Sequence, residues 1–193
     1  FNNQEKFKSV KLITEASAEK LRGGFYTPEP IAEFILRWGI NGSKDYDILE
    51  PSCGDGVFLE QLRNHKLKYN SITAVEFDEI EAQKANKIDL KNKQIINDDF
   101  HTYCNNTLQR FDLIIGNPPY IRYQFFNRNQ QIEAGDIFIK AGLTYSKLTN
   151  AWVSFVIGSS LLLKDKGGKI GFVLPAEILQ VSYAQQLRTF LAH

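Results

Sequence analysis

The spacing of apolar positions along this chain switches repeatedly between two periods. Five short runs rich in β-branched residues, at 46–50, 72–77, 94–96, 111–115 and 169–174, have the length and composition of strands. Between them lie segments of helical length and spacing at 56–67, 78–90, 144–164 and 176–191. That alternation predicts an α/β fold with a mostly parallel sheet and helices on both faces. Ahead of the first strand, Ile31, Phe34, Ile35 and Trp38 recur at helical spacing behind Pro28 and Pro30, and prolines are tolerated in a helix's first turn. Residues 124–136 are polar, aromatic-studded and poor in period, and read as a surface loop. The most apolar stretch, 151–163, is interrupted by Ser154, Gly158, Ser159 and Ser160, and reads as a buried helix rather than a membrane span.

Composition narrows the class. The chain has 193 residues, 43% hydrophobic and 23% charged, which suffices for one domain with a real core and excludes a disordered chain. It begins at Phe1, contains no Met, and lacks the basic, apolar, small-residue order of a secretory signal near its start. It is expected to be part of a longer polypeptide. Two cysteines, Cys53 and Cys104, are too few for a disulfide framework, so a reducing cytoplasmic setting is expected. A net charge of +1 supplies no bulk reason to bind nucleic acid. Its distribution is uneven, however: residues 1–116 carry 15 basic and 18 acidic side chains, and residues 117–193 carry 8 and 4.

In open α/β sheets the ligand site lies beyond the carboxyl ends of the strands, so those ends deserve the closest reading. The first is followed by Glu50-Pro51-Ser52-Cys53-Gly54-Asp55-Gly56. A Gly-x-Gly turn lets backbone approach a ligand closely, yet the third glycine of a dinucleotide fingerprint would fall at Leu59, which argues against pyrophosphate binding. Glu76 ends the second strand 20 residues after Gly56, where an acid that bonds ribose hydroxyls belongs. An adenosine-containing cofactor follows. The fourth strand leads into Gly116-Asn117-Pro118-Pro119-Tyr120. Two prolines fix two φ angles and remove two N–H donors, leaving rigidly aimed carbonyls. With the Asn117 side-chain oxygen and the Tyr120 ring, they suit a planar aromatic amine, which presents two N–H donors and a face to stack upon.

These residues carry a family resemblance. Phe25-Tyr26-Thr27-Pro28, the 49–56 segment, Glu76, Asp99-Phe100 and the 112–120 segment, in that order, resemble the γ-type N6-adenine DNA methyltransferases with their NPPY motif; residues 161–175 are similar to that family's fifth-strand region. The resemblance covers nearly the whole chain. It implies a Rossmann-like fold dependent on S-adenosyl-L-methionine (SAM), and an adenine-specific methylase of a restriction-modification system. Tyr26 and Thr27 would close over the methionine end of the cofactor, and Glu50, Pro51, Ser52, Gly54 and Gly56 would line that moiety. Glu76 would hold the ribose, with Phe77 beside it. Asp99 would accept from the exocyclic amine with Phe100 against the adenine ring, although the adjacent Asp98 is an alternative. Asn117, Pro118, Pro119 and Tyr120 would be catalytic, Asn117 would also touch the cofactor, and no metal is implied.

The implied chemistry needs no general-base histidine, and His65, His101 and His193 read as surface or structural residues. Adenine N6 is a poor nucleophile until both N–H groups are hydrogen-bonded, a role for Asn117 and the Pro118 carbonyl. Double-stranded DNA must present its base flipped out, with Tyr120 the expected platform and 121–128 near the phosphates. The family's sheet has seven strands and five are placed here. The resemblance therefore implies a catalytic domain over 1–193, comprising a helical region at 1–43 and an α/β core at 44–193, incomplete at its carboxyl-terminal edge and without its target-recognition domain or specificity subunit. Methylation of RNA or of a protein glutamine amide, and a SAM-binding subunit without turnover, are the competing readings.

Overall fold

A computed structural model describes residues 26–41, 45–145, 150–179 and 185–192. In chain order the elements are α1 (Glu29–Gly39), β1 (Asp47–Glu50), α2 (Val57–Asn64), β2 (Ser71–Glu76), α3 (Glu79–Asn86), β3 (Lys93–Asn97), α4 (Phe100–Asn106), β4 (Leu113–Gly116), α5 (Arg128–Lys140), α6 (Ala151–Leu161), β5 (Lys169–Phe172) and α7 (Gln185–Leu191). The five strands form one sheet in the order β3-β2-β1-β4-β5, with every pairing parallel. The chain winds outward from β1 in one direction, then returns to β4 on its other side. That reversal opens a crevice between the carboxyl ends of β1 and β4.

Strand side chains alternate between the two faces, and each face buries its own cluster. Ile48, Ile72, Ala74, Leu113 and Ile115 pack with Leu36, Phe58, Leu59 and Leu62 from α1 and α2. Leu49, Val75 and Ile114 point the other way, onto Phe100, Phe138, Trp152 and Val156 from α4, α5 and α6. Helix α1 starts as its prolines require, with Pro28 at the N-cap and Pro30 in the first turn. Helix α6 is buried continuously from Ala151 to Ser159, as a helix apolar on all sides must be. No helix among the described residues is long and apolar enough to cross a membrane.

Three expectations need correction. Residues 124–136 are no loop: after a 3-10 turn at Tyr123–Phe125 the chain enters α5. Asn127 and Gln130 form a reciprocal capping box, the Asn127 side chain accepting from Gln130 N at 2.9 Å and the Gln130 side chain from Asn127 N at 3.1 Å. The apolar stripe of α5, Ala134, Ile137 and Phe138, begins late, so its polar first turns hide the period. A second unforeseen helix, α4, buries Phe100, His101 and Cys104, and the histidine masks its stripe. The helices read at 144–164 and 176–191 are shorter. The first runs over Ala151–Leu161; the second resolves into a 3-10 turn at Ala176–Leu179 and α7, while 146–149 and 180–184 lie outside the described residues, as do 1–25, the start of the helical region read at 1–43.

The turn after β1 depends on its glycines. Gly54 and Gly56 have φ of 54° and 98°. A Cβ on Gly54 would meet nothing within 4 Å, whereas one on Gly56 would stand 2.6 Å from Ile88 Cδ1 and 3.3 Å from Ala85 Cα. Gly54→Ala should therefore cost about 1 kcal/mol, the left-handed penalty alone. Gly56→Ala should cost roughly 3 kcal/mol, since strain, a clash with the Ile88 side chain and a tight approach to the α3 backbone add to it. Urea unfolding of the two variants checks the order; equal losses would show that Ile88 and α3 move aside freely.

Candidate active site

The four strand ends converge on a cavity of about 360 Å³. Glu50, Pro51, Ser52 and Gly54 reach it from β1, Glu76 and Phe77 from β2, Asp98, Asp99 and Phe100 from β3, and Asn117 and Pro119 from β4; Tyr26 and Thr27 close it from the segment before α1. Gly56, Pro118 and Tyr120 stand behind this wall. Gly56 is the N-cap of α2, Pro118 is buried, and Tyr120 packs against the second core cluster.

The lining is strongly acidic. Glu50, Asp55, Glu76, Asp78, Glu81, Asp98 and Asp99 all face the cavity, and no Lys or Arg does so among the described residues. Glu76 holds the β1 turn in place: its carboxylate accepts from Gly54 N at 2.8 Å and Asp78 N at 2.8 Å. Burial raises its carboxyl above the usual range, and these two bonds offset only part of that rise. Glu50 is only 1% exposed, and its Oε2 has no hydrogen-bond partner. Burial, reinforced by the neighbouring Glu76 and Asp55 carboxylates, pushes it well above the ordinary glutamate value. A cationic ligand atom beside Glu50 would relieve both the desolvation and the repulsion. Cys53 is also buried, and its thiol is pushed up by burial and by Glu50, so it is held unreactive.

The loop after β4 lies against the β1 turn, with Ser52 Oγ donating to the Asn117 carbonyl at 3.3 Å. The Tyr120 hydroxyl lies 2.5 Å from Asn117 Oδ1 and 2.8 Å from the Val173 carbonyl, so one proton is shared between two acceptors. Burial pushes this phenol up to about 12, and it remains a neutral donor at physiological pH. An amide oxygen has two lone pairs, and Tyr120 occupies one of those on Asn117.

At the β3 end the two candidate aspartates separate. Asp98 is exposed and its Oδ1 accepts from Asp99 N. Asp99 caps α4, accepting from His101 N and His101 Nδ1 at 2.8 Å each through Oδ1, and from Gln130 Nε2 at 2.9 Å through Oδ2. Burial raises the Asp99 carboxyl, but the bonds from His101 and Gln130 outweigh it and leave it below the ordinary value. His101 Nε2 meets Ser154 Oγ at 2.7 Å, and Ser154 donates to the Ala151 carbonyl at 2.8 Å. Although Asp99, His101 and Ser154 form the sequence of a hydrolytic triad, His101 and Ser154 are fully buried and Ser154 does not line the cavity. It cannot be a nucleophile. His101, Gln130, Phe126 and Phe155 are cavity residues that sequence reasoning missed; only Gln130 left a trace, as the capping partner of Asn127.

The doubly wound parallel sheet with its cavity at the switch point is a Rossmann-like architecture of the kind that SAM-dependent methyltransferases share. A solved class I S-adenosylmethionine-dependent methyltransferase from Listeria monocytogenes has this fold, with a TM-score of 0.70 at 18% identity over 100% of this chain and 60% of its own. The chain belongs to the Eco57I restriction-modification methylase family, whose model matches residues 10–193. It is similar to the type II methyltransferase M.HincII of Haemophilus influenzae, 33% identical over 170 residues, covering 88% of this chain and 31% of that protein. It is also similar to the tRNA1(Val) (adenine(37)-N6)-methyltransferase of the same organism, 29% identical over 136 residues, covering 68% of this chain and 54% of that protein. The chain spans only 30% and 31% of the length of the type II methyltransferases M.AccI and M.HincII.

Proposed function

We propose that this chain forms the cofactor- and base-binding part of a restriction-modification enzyme that methylates adenine N6 in double-stranded DNA. One observation carries the reading: an acidic cavity at the sheet's switch point ends at the Asn117-Pro118-Pro119-Tyr120 loop. SAM has a sulfonium and an α-ammonium, and supplies an activated methyl group when bound. The residues present fit it. Glu50, with its orphaned buried Oε2, would hold the ammonium, Glu76 the ribose hydroxyls, and Asp99 the adenine amine, between Phe77 and Phe100. The same acidity opposes a nicotinamide dinucleotide, whose pyrophosphate would face seven acids without a cation.

The chain's own residues then orient the acceptor. Asn117 Oδ1 would accept from one N6 hydrogen and the Pro118 carbonyl from the other. Holding both in place draws the nitrogen lone pair toward the methyl donor and aligns the two in line. The partly exposed Tyr120 ring, beside Asn117 but outside the cavity wall, would stack on the flipped base there, while exposed Arg122 and Arg128, flanking exposed Phe125, suit phosphates at the rim. Sequence choice belongs to a target-recognition domain or a specificity subunit.

The similarity to a tRNA methyltransferase makes RNA the second reading. Intact protein with methyl-labelled SAM should be incubated separately with unmethylated genomic DNA and with tRNA, followed by nucleoside mass spectrometry. Label in N6-methyldeoxyadenosine is the expected result. Label confined to tRNA adenosine, or absent from both nucleic acids, would overturn the DNA reading.

A further inference from the structure

We propose that His101 and Gln130 are positioning residues that clamp Asp99, so that the cavity accepts a 6-amino purine and rejects a 6-oxo purine in its cofactor. The inference rests on the reading of Asp99 as the adenine contact and extends it to two residues that no motif marks. A carboxylate offers about four lone-pair directions. Two on Oδ1 are taken by the backbone N–H and Nδ1 of His101, and one on Oδ2 by the Gln130 amide. One acceptor direction is left, and Asp99 lines the cavity. It can receive a single N–H, as an exocyclic amine provides, whereas a 6-oxo group would set oxygen against a carboxylate.

The clamp is anchored at both ends. His101 is fully buried, and its far nitrogen meets Ser154, whose hydroxyl donates to the Ala151 carbonyl at the start of α6. Its ring is also fixed edge-on by Phe126, with centroids 5.5 Å apart, and by Phe155 at 5.0 Å. The Gln130 amide cannot turn over, because its Oε1 already accepts from Asn127 N in the capping box. Asp99 is thus held from α4 and α5, with α6 behind His101. Without the clamp the carboxylate could rotate or take up water, and would accept a donor or tolerate a water-bridged oxygen alike.

The test compares binding of S-adenosylhomocysteine with S-inosylhomocysteine, which differ in the group at purine position 6 and in the hydrogen the 6-oxo form carries on N1, by calorimetry on the intact protein; the change in preference between wild type and the variants reads the clamp. Wild type should prefer the amino form by about 100-fold, since a misplaced acceptor leaves a charged group unpaired. His101→Leu and Gln130→Leu should each reduce that preference about tenfold, chiefly by weakening the amino form, while His101→Asn, which keeps a donor near the Nδ1 position, should restore most of it. Gln130 is only partly buried, so its variant reports even if His101→Leu fails to fold. An unchanged preference in folded His101→Leu or Gln130→Leu would overturn the clamp alone. Wild type that binds both compounds equally would overturn the Asp99 contact beneath it, and wild type that binds neither would overturn the SAM site.

Discussion

Asn117→Ala is expected to slow methyl transfer by about a thousandfold, with cofactor affinity changed by less than about threefold. In the proposed mechanism the amide oxygen at this position is the acceptor that distinguishes a reacting amine from a merely bound one. Removing one preorganised hydrogen bond to a developing charge generally costs about 10² to 10³ in rate. Ground-state binding is largely spared, because the proposed cofactor contacts lie on the ends of β1, β2 and β3, and Asn117 only closes their far side. Tyr120→Phe is the informative control. It keeps the ring and removes the hydroxyl that lies against Asn117 Oδ1 and the Val173 carbonyl, so the loss should stay within about tenfold. Single-turnover transfer of labelled methyl, with calorimetric cofactor binding alongside, separates rate from affinity. If Asn117→Ala retained transfer within tenfold of wild type, the β4 loop would have to be read as a structural turn.

Glu50→Gln should have two effects of opposite sign: cofactor affinity falls about 30-fold, while the cofactor-free protein becomes more stable near neutral pH. The fold forces this carboxyl into a site where ionisation is costly, through burial first and then through Glu76 and Asp55. A glutamate whose folded value is raised stabilises the fold fully below its unfolded value. That contribution is lost as pH climbs through the raised folded value. Cofactor-free wild type should therefore melt at progressively lower temperature as pH rises from about 5 to 8, and Glu50→Gln should flatten that slope. Affinity for SAM should move the other way, rising with pH as Glu50 ionises to meet the ammonium. Thermal melts and calorimetry on the same pH series test both signs. A Glu50→Gln protein that binds SAM as wild type does would remove the carboxylate from the site, whatever its melting temperature.

Much of this could be read directly from the chain. The five strands fall within two residues of their expected limits because each is a short β-branched run bounded by polar turn residues. The Asn117-Pro118-Pro119-Tyr120 loop stood out because two adjacent prolines dictate backbone geometry locally. Glu76 is recognisable from its place at a strand end 20 residues after Gly56, whereas the role of Glu50 comes only with the family resemblance. Helices α4 and α5 were not legible: α4 hides its stripe behind a buried histidine, and the first turns of α5 are polar. Their stability comes from capping and from packing against α6, not from period.

What the sequence determined by itself was whatever depends on local chemistry: the alternation that makes a parallel sheet, the glycine turn, the proline loop and the acids at strand ends. Only the tertiary structure decided which of two adjacent aspartates is held between a buried histidine and a glutamine 31 residues away, and that Tyr120 spends its hydroxyl on Asn117 and Val173. Those outcomes depend on which side chains from distant segments compete for the same few lone pairs in a space sealed from water. No spacing along the chain encodes that competition until the sheet has brought the segments together.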